Sequence, residues 1–515
     1  MRNGAGPSVR FGPAPSDRGL MMELDFDSVL DDEKIVALIG SPLFRAFADA
    51  LPARSELGRN AQVTPAVAAL MGAAIPIVGG AKMAERTILV RWNAFRRVLL
   101  EEGYEVPLEP PNKDHWWTYR KDYLPNEEAL VPLHGAFAEA SVAMSNDIGL
   151  ALPLWGEPNY LDADPGASLY SDGCWFLPAS EIGFDPNAVS RHSPGGAPRI
   201  VTDAVTQSDR AYGYPLVSLG LRGPGERRRI ILDVGVGKKG DPASEVEYAI
   251  GLLRRNFHLL DGRVSYWLYD GAMSGVHHRT IREEFGILTV TRTVTRKAPR
   301  AWITDVWRAP VARRQVLQLD LPNCTHWLAT GYGAVWEVEK ATPRFTNSEI
   351  RPAQLFGRYE RPLRVLDVRR AFSQGSYRWE MDIRIHCPYG PHIVTVDPNG
   401  WGLPHTRKLS DIRSGHRIGA PPTRLVKPSK KNSELNVAEQ VRVIDQTRTH
   451  RFAQIYGGRN DVESWHQTLK NVDGYGDRSQ VFSRSRFLLD IMFLTMVRNT
   501  LAWMEHKDTS VVAVP

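Results

Sequence analysis

The order of strand-like and helix-like segments between residues 167 and 294 constrains this chain more than any other feature. ASLYSDGCWFLP (167–178), GYPLVSLGLR (213–222) and RRRIILDVGVG (227–237) are short, apolar and rich in β-branched or aromatic residues, so each reads as a strand. GPGE (223–226) supplies turn chemistry between the last two. A helix is expected from Ser244 to Asn256, with Val246, Ile250, Leu252 and Leu253 on its apolar side. VSYWLYD (264–270) is a further strand, Val276 to Glu284 a short helix, and GILTVTRTV (286–294) another strand. Three strands, then helix, strand, helix and strand, bury their apolar faces as an α/β layer structure around a mixed five-stranded sheet.

The flanks have a different texture. Residues 1–20 are rich in Gly, Pro and Ser and read as a disordered tail. Residues 21–150 form a helical N-terminal region. Asp31, Asp32 and Glu33 suit a helix N-terminus, Thr64-Pro65 makes a cap and first-turn pair, and Ala84 to Glu102 is amphipathic and carries Arg91, Arg96 and Arg97. Short helices before an Arg-bearing one suit a helix-turn-helix reader of DNA, or a plain bundle. Residues 106–165 are Pro- and Trp-rich and read as irregular. After the α/β segment (165–299), residues 300–433 are β-rich and end in a basic loop. A last helical part spans 434–510, and Phe482 to His506 is a candidate contact surface or a core helix.

Composition narrows the class without fixing it. The 515 residues carry a net charge of +6, a mild tilt toward a polyanionic partner. Cys174, Cys324 and Cys387 form no CxxC pair, which argues against a zinc knuckle or disulfide framework and fits a reducing cytoplasm. His277-His278 and His386-Cys387 lack a matching pair of ligands, and the first two read as a solvated helix start. No signal-peptide pattern or membrane span is expected, because the most apolar stretches, 66–80 and 487–497, are shorter than the roughly 20 residues a span needs.

One late segment carries a chemical pattern. On a helix wheel of IYGGRNDVESWHQTLKN (455–471), Arg459, Glu463 and Lys470 fall at about −60°, −20° and −40° from Tyr456, a single face. Ile455, Val462 and Leu469 form an adjacent apolar stripe that can dock on a sheet. Gly457-Gly458 is awkward inside a helix, so the first turn is a candidate for distortion. A carboxylate can bind magnesium, while Arg, Lys and Tyr can contact phosphates.

The spacing of Tyr456, Arg459, Glu463 and Lys470 resembles the YREK signature of the DDE transposases of the insertion-sequence-four group. The resemblance covers about residues 165–505. It implies a ribonuclease-H-like catalytic domain with a β-strand insertion before the last catalytic helix. It also implies three metal-binding carboxylates. Asp270, at the end of VSYWLYD and before Gly271-Ala272, is similar to the second acidic position, and Glu463 is the third. For the first, Asp172 in LYSDGCWF is preferred over Asp203 in RIVTDAVTQ, and Asp233 in IILDVGV is a further competitor.

The resemblance further implies two Mg2+ ions, for which Mn2+ can substitute, and double-stranded DNA, both transposon ends and target, as substrate. Tyr456, Arg459 and Lys470 are expected to grip phosphates near the cut. In that family a Trp from the insertion can support a flipped base; Trp336 or Trp379 is a candidate, though each reads more readily as a core aromatic. A homodimer on paired ends is expected, cytoplasmic and nucleoid-associated when bound to DNA, with no membrane. The alternatives are a non-transposing nuclease of the same fold and a catalytically inactive, transposase-derived DNA-binding protein.

Overall fold

The computed structural model describes residues 31–53, 63–152, 165–176, 197–201, 209–223, 228–237, 245–260, 262–270, 272–273, 275–291, 315–321, 324–331, 334–338, 361–362, 364–385, 387–396, 410–411, 455–459, 465–467, 469–470 and 483–507. The N-terminal tail, Asp203, Glu463 and most of the basic loop lie outside these residues.

Six helices come first: α1 Asp31–Ile39, α2 Pro42–Ala50, α3 Pro65–Val78, α4 Ala81–Glu101, α5 Lys113–Tyr123 and α6 Val131–Asp147. Their starts are written in local chemistry. The Thr64 hydroxyl accepts from the Val67 amide with Pro65 following it, and Ser41 does the same for Phe44. The helices α5 and α6 correct the expectation of an irregular 106–165 segment. Asn112 caps α5 through the His115 amide at 2.8 Å, and α6 buries Leu133, Phe137 and Met144 along one side. Helices α3 and α4 meet at 115° across Gly79-Gly80. Gly79 takes the left-handed conformation that ends α3.

The sheet is mixed. Strand β1 (Ser168–Phe176) runs antiparallel to β3 (Asp209–Arg222), and β3 antiparallel to β4 (Arg229–Val236). On the other side β1 is parallel to β5 (Tyr266–Tyr269), and β5 parallel to β6 (Leu288–Thr291). A short strand, β2 (Ala197–Val201), pairs with the start of β3, giving six strands in all. The crossovers are α7 (Glu245–Leu260) before β5 and α8 (Gly275–Phe285) before β6. The mixed α/β arrangement is therefore as the sequence implies. Parallel neighbours need such crossovers, and here each is a helix.

The β-rich stretch holds two four-stranded antiparallel sheets. One comprises β7 Gln315–Leu321, β8 Cys324–Gly331, β9 Ala334–Val338 and β10 Arg361–Pro362. The other comprises β11 Arg364–Ser373, β12 Ser376–Ile385, β13 His392–Val396 and β14 Ser410–Asp411, and it docks on α8. Trp379 of β12 is fully buried there and its indole N–H donates to the Arg282 carbonyl at 3.1 Å. That burial removes Trp379 as a support for a flipped base. Trp336 pairs with Ala329 and Pro362 in register, and its side chain lies outside the described residues.

A 23-residue helix, α9 (Arg484–His506), closes the fold. It is long and apolar enough to cross a membrane, yet 72% of its most apolar window is buried inside the protein. It packs against α3, α6 and β4, so this helix belongs to the core. Edge strand β4 has a free backbone side, and α9 satisfies it: Asn499 accepts from the Ile231 amide at 2.9 Å and donates to the Ile231 carbonyl at 2.7 Å. Arg484 Nε donates to the Val236 carbonyl at 2.6 Å. Gly72 of α3 lies against the Phe493 ring, where a Cβ would sit 2.4 Å from it.

A second clasp joins α6, β4 and α7. Asp233 of β4, fully buried, accepts from Arg255 at 2.5 Å, from the Asn256 amide and from His134 Nδ1 at 3.2 Å. Burial favours the protonated acid, but the His134 hydrogen bond and the Arg255 charge outweigh it and hold the carboxyl below its ordinary range. The carboxylate is fully buried and its oxygens are taken up by these donors and the Val234 amide, which removes Asp233 from the candidates for a catalytic acid.

Candidate active site

The apolar alternation of β1 turns Leu169 toward α7 and Tyr170 toward α9, so Asp172 points to the α9 side of the sheet. The same alternation turns Trp267 and Tyr269 of β5 toward α7 and Leu268 toward α9. The β1–β5 register pairs Ser168 with Tyr266, Leu169 with Trp267 and Tyr170 with Leu268. Continuing it brings Asp172 level with Asp270, on adjacent parallel strands and the same face. Asp270 accepts from the Ala272 amide at 2.8 Å, which turns the chain out of the strand.

Asp172 is 7% exposed. Burial pushes its carboxyl up to about 6, and the charges of Glu245 and Asp270 add to that push. Arg459 and the Gly173 amide oppose it. Arg459 Nη2 donates to Asp172 Oδ2 at 3.1 Å, and the Gly173 N–H donates to Oδ1 at 3.0 Å. Across the sheet, Asp172 pairs with Ser218 of β3, whose hydroxyl is fully buried and has no hydrogen-bond partner.

The late motif segment crosses this face. Ile455 to Gly457 is helical, and the helix breaks at the glycine pair: the Gly458 and Arg459 amides bond to Ile455 and Tyr456 carbonyls three residues back. Arg459 thus reaches Asp172 from a turn and not from a continuous helix. Tyr456 is buried at 8% exposure, with Ile455 and Leu469 in the main core. The Lys470 ammonium sits 5.3 Å from the centre of the Phe176 ring, at the end of β1. Arg459 and Lys470 therefore both lie along the β1 face that carries Asp172. Glu463, the expected third carboxylate, falls in residues 460–464 and lies outside the described residues.

Sequence reasoning missed a third acid at this end of the sheet. Glu245, in the first turn of α7, lies against the backbone of β1: a Cβ on Gly173 would be 2.2 Å from its carboxyl carbon. Its Oε1 accepts from the Tyr269 hydroxyl at 2.9 Å, and burial together with Glu245 keeps that phenol protonated. A first-turn acid after a β-hairpin was the available signal, and it reads equally well as a helix-dipole residue. His278 is also corrected, from a solvated position to a buried one whose ring contacts the Thr289 hydroxyl. Among the described residues, no three of His, Cys, Asp or Glu converge closely enough to hold one ion.

No family model matches the chain, and no curated protein is significantly similar to it.

Proposed function

We propose that the chain is a DDE transposase of the insertion-sequence-four group that cuts and joins DNA with Asp172, Asp270 and Glu463. The observation that carries the reading is the β1–β5 register, which levels Asp172 with Asp270 on neighbouring strands, with the motif Arg459 bonded to Asp172. The strand order β4-β3-β1-β5-β6, antiparallel then parallel, supports a ribonuclease-H-like sheet in which the first and fourth strands in chain order within the five carry the first two acids.

Magnesium fits this donor set. The carboxylate oxygens are hard ligands, and the buried Ser218 hydroxyl, paired across the strands with Asp172, leaves an unmet polar group beside them. When bound, two such ions stabilise the charge on the attacking and leaving oxygens of an in-line displacement at phosphorus, and manganese suits the same oxygens. The protein's own part is positional. Asp172 and Asp270 fix one side of the centre, and Glu463 enters from the motif segment. Arg459 balances the Asp172 charge in the free protein and, with Lys470, holds the phosphates next to the cut. Double-stranded DNA is the substrate, with paired ends held by two copies of the chain.

The test is a pair of assays on duplex DNA. Glu463→Gln and Asp270→Asn should bind duplex nearly as the parent does and lose Mg-dependent nicking. Unchanged nicking in Glu463→Gln refutes the assignment. Cleavage without joining of the freed 3′ end would select the non-transposing nuclease, and DNA binding with no nicking in the parent would select the inactive DNA-binding protein.

A further inference from the structure

Beside the acidic centre, on the same motif segment, lies a cluster that the carboxylate chemistry does not use. His466 is 6% exposed and its Nε2 has no hydrogen-bond partner. Trp465, next to it, is 1% exposed and its indole N–H also has none. The two rings pack at 5.0 Å between centroids, tilted by 52°. The charges of Lys470, of Arg229 at the start of β4, and of Arg459 all act on the imidazole. Arg222, at the end of β3, reaches the same turn, its Nη1 lying 3.8 Å from where a Gly458 Cβ would stand.

This arrangement is costly as it stands. A buried donor without an acceptor forfeits about 1–3 kcal/mol of hydration. Burial and those cations push His466 down to about 3, so it is neutral at physiological pH. In the Nε2–H tautomer a neutral imidazole is a single, directed donor. An anion with several acceptor oxygens meets that unmet donor and suits a neighbourhood of Arg and Lys side chains, and a phosphate group is such an anion.

We propose that His466, with Arg229 and Lys470, forms a seat for one phosphodiester of the DNA strand, with the imidazole Nε2–H donating to a non-bridging oxygen. The seat rests on the reading of the site as one that acts on DNA. It differs from the metal centre in needing no carboxylate, and it adds β4 to the surfaces that hold the strand. The role of His466 is to bind and position, through a neutral hydrogen bond in a field of fixed positive charge.

The experiment uses the full chain in EDTA, so that nothing is cut. His466→Phe keeps the ring volume and removes the donor, Arg229→Gln removes a charge, and His466→Gln stands in if the phenylalanine variant does not fold. The probes are inorganic phosphate, read by thermal melting against chloride at equal ionic strength, and a random-sequence duplex, read by anisotropy over a salt series. His466→Phe should melt higher than the parent in chloride, and should bind duplex roughly 5- to 20-fold more weakly with the salt slope unchanged, as for loss of one neutral hydrogen bond. Arg229→Gln should also weaken binding, but should reduce the salt slope by about one.

Duplex binding equal to the parent's in the His466 variant overturns the proposal, whatever phosphate does. If phosphate alone stabilises the parent and the variant loses only that, the seat is one for a free anion and the DNA assignment falls. Loss of duplex affinity supports the seat, with or without a phosphate effect. The two readings fail separately: nicking that survives Glu463→Gln removes the transposase chemistry and leaves the seat, while normal duplex binding by His466→Phe does the reverse.

Discussion

Arg459 Nη2 lies 3.1 Å from Asp172 Oδ2, joining two residues 287 positions apart in the chain. The contact ties the motif segment to the central strand of the sheet. It also gives a desolvated carboxylate a counter-charge in the free protein. Arg is suited to both tasks, since its guanidinium stays charged and can pass from one oxygen partner to another.

The raised carboxyl of Asp172 sets a stability prediction. Its folded value, about 6, lies above the ordinary carboxylate value, so the folded state holds the proton more tightly than the unfolded one. The group's contribution is greatest in acid and is lost as pH rises from the unfolded value through about 6. Asp172→Asn should therefore raise the melting temperature of the metal-free protein at pH 8, by up to about 2 kcal/mol of stability, and by almost nothing near pH 4. Melting curves across pH check it; a lower melting temperature at pH 8 contradicts it.

On the proposed reading, the same group also sets the pH dependence of metal binding. Ligation needs the deprotonated carboxylate, so apparent affinity for Mn2+ should fall about tenfold per unit once pH drops below the Asp172 value. Arg459→Gln removes the opposing charge and should move that fall to higher pH. Calorimetric titrations at several pH values report the midpoint directly, and a midpoint that stays put in the variant counts against the pairing.

Gly72 and Phe493 pack too closely for any side chain on the glycine. Gly72→Ala gains helix propensity but drives a methyl into the ring, and overpacking of this kind costs about 1–3 kcal/mol. The variant should unfold at lower denaturant with an unchanged slope. Phe493→Leu in the same background should recover part of the loss, which separates the clash from a general intolerance.

Asp233 binds α6, β4 and α7 together through His134, Arg255 and Asn256. Asp233→Asn leaves buried donors poorly matched, and breaking a buried pair costs about 3–5 kcal/mol when one partner is removed. Because the folded carboxyl is depressed, its stabilisation is present above the unfolded value and lost as pH falls below it. The parent should therefore lose stability steeply in acid, and the variant less so.

Much of this was legible in the residues, for identifiable reasons. Thr64-Pro65 announced α3, and the run from Ser168 to Thr291 announced five of its six strands, because capping and apolar periodicity are local; the short β2, Ala197–Val201, was missed. Helices α5 and α6 were hidden by Pro110, Pro111, Trp116 and Trp117, whose density imitates a loop; the Asn112 cap was the overlooked sign. The wheel that put Tyr456, Arg459 and Lys470 on one face assumed a continuous helix. Gly458 breaks it, and Tyr456 turns into the core while Arg459 still reaches Asp172. Glu245 and His466 carried no spacing signal, because their positions depend on which strand and which turn lie opposite. Burial of His278 and Trp379 was equally a matter of tertiary packing.

Helix α9 has a consequence for how the chain is made. The apolar sides of α1, α2, α3 and α6 share one core with α9, whose Phe493 packs against Phe47 of α2 and Gly72 of α3. During synthesis those early helices leave the ribosome hundreds of residues before their filling exists, at a pace of roughly 5–20 residues per second. For that interval they are a half-built shell whose apolar inner walls stay uncovered until α9 arrives.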